Sequence, residues 1–332
     1  MSSFHILIVI VVISLAFDFT NGWHDAASSI ATVVSTRVLR PFWAVVWAAF
    51  WNLLAPLTFG TAVAATVGKG LVHLNMVDEY VLLAGLLGAI IWNYATIRMG
   101  IPCSSSHALM GGYGGAAIAA YGFRAIIWGG WLMPVIFIFI APIVGMAVGI
   151  LATLATSWLV RRQAPSRVDS WFRRLQLISA GAFSFGHGTN DAQKSMGIIT
   201  AALVTGGLIP TYKVPDWVIL CCALAMAGGT MAGGWRVVKT MGQRITKLTP
   251  FGGFAAETSA AITLFGTAAA GIPVSSTHVI TGAISGVGAS HRFTAVRWGV
   301  TRRILWAWVL TIPGAALMGA AFHFLFLTWM RR

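Results

Sequence analysis

Ten apolar runs, parted by short breaks, account for almost the whole chain, and this pattern constrains the fold more than any other feature. The runs lie at about 4 to 36, 42 to 65, 80 to 98, 102 to 120, 125 to 160, 175 to 209, 216 to 235, 251 to 270, 273 to 290 and 303 to 328, lengths that suit helices. Only 9% of the 332 residues are charged and 58% are hydrophobic, whereas a soluble domain carries about 25% charged residues. At about 20 apolar residues per crossing, a chain of this length holds roughly ten to twelve transmembrane or half-spanning helices and no sizeable soluble domain. The expected fold is an all-α polytopic membrane protein.

Net charge is +14, from 22 Lys and Arg against eight Asp and Glu. Nucleic acid would need those cations on one face, but they stand in the breaks between apolar runs, as a topology signal does. No nucleic-acid partner is expected. With the N-terminus outside, sixteen fall on the inner side: Arg37, Arg40, Arg98, five arginines between 161 and 174, Arg236, Lys239, Arg244, Lys247, Arg292, Arg297, Arg302 and Arg303. Lys69, Arg124, Lys213, Arg331 and Arg332 fall outside, and Lys194 lies within a helix. This bias predicts both termini outside and the stretch 161 to 174, RRQAPSRVDSWFRR, in the cytoplasm. The first 17 residues are apolar after Met1, but no Lys or Arg precedes Arg37 and no small-residue cleavage motif follows Leu15, so a retained first helix is expected. Trp43, Trp47, Trp128, Trp131 and Trp329 near span ends read as interfacial anchors. The 37 glycines, with only Cys103, Cys221 and Cys222, fit close helix packing rather than a disulfide scaffold.

Two segments recur across 161 to 174, which therefore divides a first repeat, 1 to 160, from a second, 175 to 332. Asp25 in GWHDA and Asp191 in GTNDA stand 166 residues apart. GIPCSSSH (100 to 107) and GIPVSSTH (271 to 278) share six of eight positions at a spacing of 171, and Gly111 and Gly115 recur as Gly282 and Gly286. With five runs per half, each copy starts on the opposite face. Inverted-topology repeats with broken helices and helical hairpins follow, which is a transporter architecture.

Asp18, Asp25, Asp191 and Glu257 lie inside apolar sequence, where a carboxylate usually faces a cavity and binds an ion, a proton or a substrate. The repeat-matched Asp25 and Asp191 read as functional; for Asp18 and Glu257 a helix cap serves equally well. Helix-disfavouring residues precede both matched acids (Thr20, Asn21 and Gly22; Gly186, His187, Gly188, Thr189 and Asn190), so each helix is expected to break there and to offer oxygen ligands suited to Na⁺, giving two sites. In the GIPxSSxH segments, Pro102 and Pro273 suit a helix first turn, and the hydroxyls that follow stand beside unpaired amides. Two such N-termini, inverted and facing each other, make an anion cradle. His107 and His278 either hydrogen-bond a neighbouring carbonyl or transfer protons. Lys194 is either the counter-ion of Asp191, three residues away, or a contact to an anionic substrate.

These motifs resemble those of the inorganic phosphate transporter (PiT) family over essentially the whole chain. NGWHDAASSIATVVST (21 to 36), GHGTNDAQKSMGIIT (186 to 200) and the two GIP segments lie in the family's order, and GFAAETSAAITLFGTAAAGIPVSSTH (253 to 278) is similar to its second-half Glu region. The resemblance implies a plasma (inner) membrane symporter of inorganic phosphate with H⁺ or Na⁺, or of a metal–phosphate, assembled as a homodimer among membrane lipid, with no cofactor beyond the coupling cation. It implies Asp25 and Asp191 as coupling carboxylates and possible Na⁺ sites, with Asn21 and Asn190 beside them. Ser104, Ser105, Ser106, Ser275, Ser276, Thr277 and Lys194 would meet the oxyanion, and His24, Ser28, His107, Glu257 and His278 are further candidates. His24 stands where the family has Asn, Ser28 where Asn is frequent, and Trp51 and Asn52 where an acid follows Phe50, departures that favour H⁺ over Na⁺. A sulfate permease on the same fold competes with this reading. So does an intramembrane hydrolase, disfavoured because Ser106 and His107 are adjacent on a helix and the motif recurs twice.

Overall fold

Where the sequence is apolar the chain is helical. The computed structural model describes residues 3–58 and 60–330; Arg331 and Arg332, expected on the outer side, lie outside the described residues. Among the described residues twelve α-helices follow one another: α1 (Ser3–Ser35), α2 (Pro41–Thr58), α3 (Ala62–Gly70), α4 (Glu79–Met99), α5 (Ser105–Tyr121), α6 (Trp128–Val160), α7 (Pro165–Thr205), α8 (Asp216–Ala232), α9 (Trp235–Lys239, continued as a π turn over Thr240–Arg244), α10 (Pro250–Ala269), α11 (Ser276–His291) and α12 (Trp298–Met330). α1, α2, α4, α6 and α12 are each long and apolar enough to cross a bilayer, and α8 with α9 and its π turn makes a sixth such unit, bent by 62°.

The helix boundaries correct the sequence reading in four places. The run 42 to 65 is two helices: α2 ends soon after Pro56, and the first amides of α3, from Val63 and Ala64, donate to Gln193 Oε1 at 2.9 and 3.2 Å. α7 begins at Pro165 rather than near 175, because proline suits the first helical position and Asp169 pairs with Arg173 one turn on, at 2.8 Å. α5 and α11 begin at Ser105 and Ser276, three residues past each proline, after serine N-caps. Most consequentially, α1 and α7 run unbroken through Asp25 and Asp191. Their glycines there serve close packing: a Cβ on Gly22 would stand 2.1 Å from the Met226 carbonyl oxygen, and one on Gly188 2.9 Å from the Asn52 Cα. In a helical membrane protein, small residues let backbones approach where apolar burial gives no driving force. The breaks fall elsewhere, after Thr58, at Gly233–Gly234 and at the two GIP loops.

The two halves repeat helix by helix, α1 to α6 against α7 to α12, and the packing respects that correspondence. α5 lies on α12 as α11 lies on α6; α1 lies on α8 as α7 lies on α2; α3 touches α7 as α9 touches α1. The repeated glycines mark the first of these pairs. A Cβ on Gly111 would stand 2.4 Å from the Ile312 carbonyl oxygen, and its counterpart on Gly282 2.1 Å from that of Pro142.

The copies are inverted. At one end of the molecule Arg173, near the start of α7, reaches the carbonyl of Arg37 just past α1, Gly242 sits against Ala31 and Ser35, and Arg297 N–H donates to the Ile245 carbonyl. At the other end Ile6 of α1, Tyr80 of α4 and Phe326 of α12 line one cavity, and Tyr212 donates to carbonyls of Ala64 and Gly197. α1 therefore ends where α7 begins.

Candidate functional site

Inversion points the N-termini of α5 and α11 at each other in the core. The His107 and His278 rings, one from each, lie 5.0 Å apart. Ser104 and Ser275 are N-caps, their Oγ atoms accepting from the His107 and His278 amides at 3.2 and 3.4 Å. Capping therefore accounts for two of the six predicted hydroxyls, and the other four turn toward α1 and α7. Ser105 Oγ donates to Asp25 Oδ2 at 3.0 Å and Thr277 Oγ1 to Asp25 Oδ1 at 3.3 Å. Ser276 Oγ lies 2.8 Å from His187 Nδ1 and 3.5 Å from Asp191 Oδ2, and Ser106 accepts from Lys194.

The contacts obey the repeat down to single side chains. Asp25 with Ser105 has its counterpart in Asp191 with Ser276, and Ser28 with Thr277 (3.0 Å) in Lys194 with Ser106. The symmetry breaks in charge. Lys194 stands where the first half has Ser28, and His187 where it has Asn21, so Asp191 gains two basic neighbours, Lys194 as an ion pair and His187 at 3.4 Å. Asp25 has one, His24 Nδ1 at 2.7 Å, whose Nε2 lies 3.4 Å from Cys103 Sγ. Lys194 is the ion-pair partner of Asp191, and its ammonium also donates to the Val274 carbonyl at 3.4 Å. Lys194 and Asp25 thus each bridge the two hairpins, α4–α5 and α10–α11. In this conformation the site is shut, with Asp25, Asp191 and Lys194 only 2%, 1% and 1% exposed.

The carboxylates converge on one centre rather than two. Single ligand atoms of Asp25, His187 and Asp191 lie within 4.8 Å of one another, an arrangement able to hold one cation. Asn21 is fully buried with neither side-chain polar atom hydrogen-bonded, and Asn190 Oδ1 is equally unpartnered. Buried polar atoms are seldom left so in native proteins, which suits the ligand role expected of both asparagines. His187 escaped sequence reasoning as a site residue. The signal, a base four residues before an acid, counts only on an intact helix.

The remaining candidates lie apart. Glu257 accepts from Thr32, Ser179 and Gln176, at 2.5, 2.5 and 3.1 Å, in a buried cluster of α1, α7 and α10. Asp18 accepts from Ser195 at 2.6 Å. His278 stacks on Trp308 at 3.8 Å. Asn52 Nδ2 donates to Thr230 at 3.0 Å. Of the anchors, Trp43, Trp128 and Trp329 are exposed, while Trp47 and Trp131 donate to the carbonyls of Leu177 and Leu71.

Comparison with known proteins gives one answer. A sequence profile described as the phosphate transporter family matches twice, over residues 21–167 and 160–319. A probable low-affinity inorganic phosphate transporter of Rhizobium meliloti (strain 1021) is 53% identical over 97% of each chain, and one of Bacillus subtilis (strain 168) is 43% identical over 96% of each. A solved structure titled the sodium-dependent phosphate transporter superposes with a TM-score of 0.88 at 25% identity, covering 98% of this chain and 99% of that one.

Proposed function

Because the chain belongs to the phosphate transporter family, we propose that it carries inorganic phosphate across the plasma membrane by symport with protons, opening the two-hairpin site to each side in turn. The observation that carries this reading is that Asp25 and Lys194 each engage both hairpins. A hairpin that moved would break the same contacts that hold the site shut. The hydroxyls, the Lys194 ammonium and the two helix N-termini donate to unprotonated oxygens. A carboxylate accepts from the P–OH of hydrogen phosphate. An anion brought beside Asp25 and Asp191 adds like charge in a dry site, and protons carried with it offset that cost.

Protons are favoured over Na⁺ because nitrogen already stands against each carboxylate, His24 on Asp25 and Lys194 on Asp191. Na⁺ is the second reading, supported by the unpartnered oxygens of Asn21 and Asn190, hard ligands of the kind that ion takes. A metal–phosphate would set its metal among Asp25, His187 and Asp191. The end that gathers Arg37, Arg173, Arg244 and Arg297 is assigned to the cytoplasm, which puts both termini outside and 161 to 174 within. The homodimer keeps the family's pattern, with lipid against the exposed faces of α6 and α12. The relatives are named as transporters and permeases, and the chain is not an enzyme.

Sulfate, which has no proton to donate at neutral pH, meets only repulsion from the carboxylates, and a site built round a hydrogen-bond acceptor rejects the analogue lacking the donor. Excess sulfate is therefore expected to leave uptake of radiolabelled phosphate almost unchanged where excess unlabelled phosphate blocks it. Equal block by both anions would replace this reading with the sulfate permease.

A further inference from the structure

Five cations converge on the mouth of the first hairpin. Gly100, at φ 68°, turns the chain out of α4; Thr240 Oγ1 donates to the Gly100 carbonyl at 2.9 Å, and Arg236 Nη1 to the Arg98 carbonyl at 2.6 Å. The second hairpin has the same latch. Gly271 has φ 67° and its carbonyl accepts from Thr66 Oγ1 at 3.0 Å. Ala62 stands against Gly271 as Arg236 stands against Gly100, each within 3.4 Å of a Cβ built there. The latch is common to both hairpins but the charges are not. The repeat counterparts of Arg98, Arg236, Lys239, Arg244 and Arg303 are Ala269, Ala62, Ala65, Gly70 and Met133. None of these five cations has a basic counterpart at the second hairpin.

Around Gly100 and Thr240 lie two adjoining cavities of about 290 Å³ each, which share Arg244; Arg98, Arg236 and Lys239 line one and Arg303 the other. That volume suits a small ligand rather than a drug-sized one. No carboxylate among the described residues lies within ion-pair distance of any of the five. A topology signal needs basic residues in a break between spans, not their convergence round one hollow. Arg forks and a Lys ammonium are what a phosphate group takes as partners.

We propose that this pocket binds a phosphate group, carried either by free orthophosphate or by an anionic lipid. It is a site separate from the central one, and it holds whether or not the central site carries phosphate. Its place gives it a purpose: Ile101 and Pro102 lead from it directly to the Ser104 cap, so its occupant bears on the tip of the moving hairpin.

The test sets Arg236→Gln/Arg244→Gln/Arg303→Gln against Lys247→Gln/Arg297→Gln/Arg302→Gln, which removes the same charge from the same end without touching either cavity. Arg303→Gln alone is a variant that spares the fold, since the Arg303 side chain makes no ion pair to a described residue. Orthophosphate binding is measured in phosphatidylcholine nanodiscs, and retained phosphatidylglycerol by native mass spectrometry. The pocket variants are expected to lose about ten-fold in one of the two, as when charge-assisted contacts are removed, and the control variant in neither. Loss confined to orthophosphate identifies the free anion, and loss confined to phosphatidylglycerol the lipid. Equal loss in pocket and control variants, or no loss in any, overturns the proposal.

Discussion

Asp25→Asn protein is expected to reach the membrane folded and to accumulate no phosphate. The carboxylate receives Ser105 and Thr277 from opposite hairpins and His24 from its own helix. An amide of the same volume has one acceptor oxygen and no charge, so it keeps the packing and loses the charge-assisted contacts. Such contacts are worth roughly 1.5–3 kcal/mol each, and 3 kcal/mol corresponds to a rate loss on the order of 100-fold. Uptake into liposomes by correctly inserted protein checks it, with thermal unfolding as the control for folding. Undiminished accumulation would make Asp25 structural.

Lys194→Gln is expected to have the largest effect on stability. Its ammonium sits against Asp191 and Ser106 and reaches the Val274 carbonyl, joining α7 to both hairpins. Removing it leaves Asp191 with His187 at 3.4 Å and the Ser276 hydroxyl at 3.5 Å, and breaking a buried ion pair by deleting one partner costs about 3–5 kcal/mol. Asp191→Asn should cost a similar amount by stranding the ammonium. In the double variant, Asp191→Asn with Lys194→Gln, neither charge is stranded, so much of the loss in unfolding temperature should return while transport stays absent. A double variant as unstable as either single one would mean that the pair is not what holds this region. A Lys194→Gln protein that accumulates phosphate at the parent rate would remove Lys194 from the site.

The sequence foretold the architecture through its repeats, because the matched spacings of Asp25 with Asp191 and of the GIP segments give the correspondence of the halves, and the odd number of apolar runs in each gives its inverted sense. Of the side chains that meet, Lys194 with Asp191 was legible from their spacing of three on one helix, whereas Ser105 and Ser276 were legible as site residues but not as partners of Asp25 and Asp191. What stayed hidden depended on helices whose course the local sequence misstated. Asn21–Gly22 and Gly186–Gly188 disfavour helix by propensity, yet tertiary packing against Met226 and Asn52 keeps α1 and α7 intact. On that intact helix His187 faces Asp191. Contacts between helices far apart in the chain carried no local signal at all, as with His24 against Cys103 and with Gln176, Ser179 and Thr32 round Glu257.

Passage of phosphate between the two hairpins with protons, as proposed, rests on the nitrogen that already stands in the cation's place beside each carboxylate. Its most direct test is radiolabelled phosphate uptake by purified protein in liposomes, with the pH and Na⁺ gradients imposed separately. Accumulation driven by an inward proton gradient in the complete absence of Na⁺, and unmoved by an added Na⁺ gradient, is the predicted result. Accumulation that requires Na⁺ and ignores the pH gradient would contradict it.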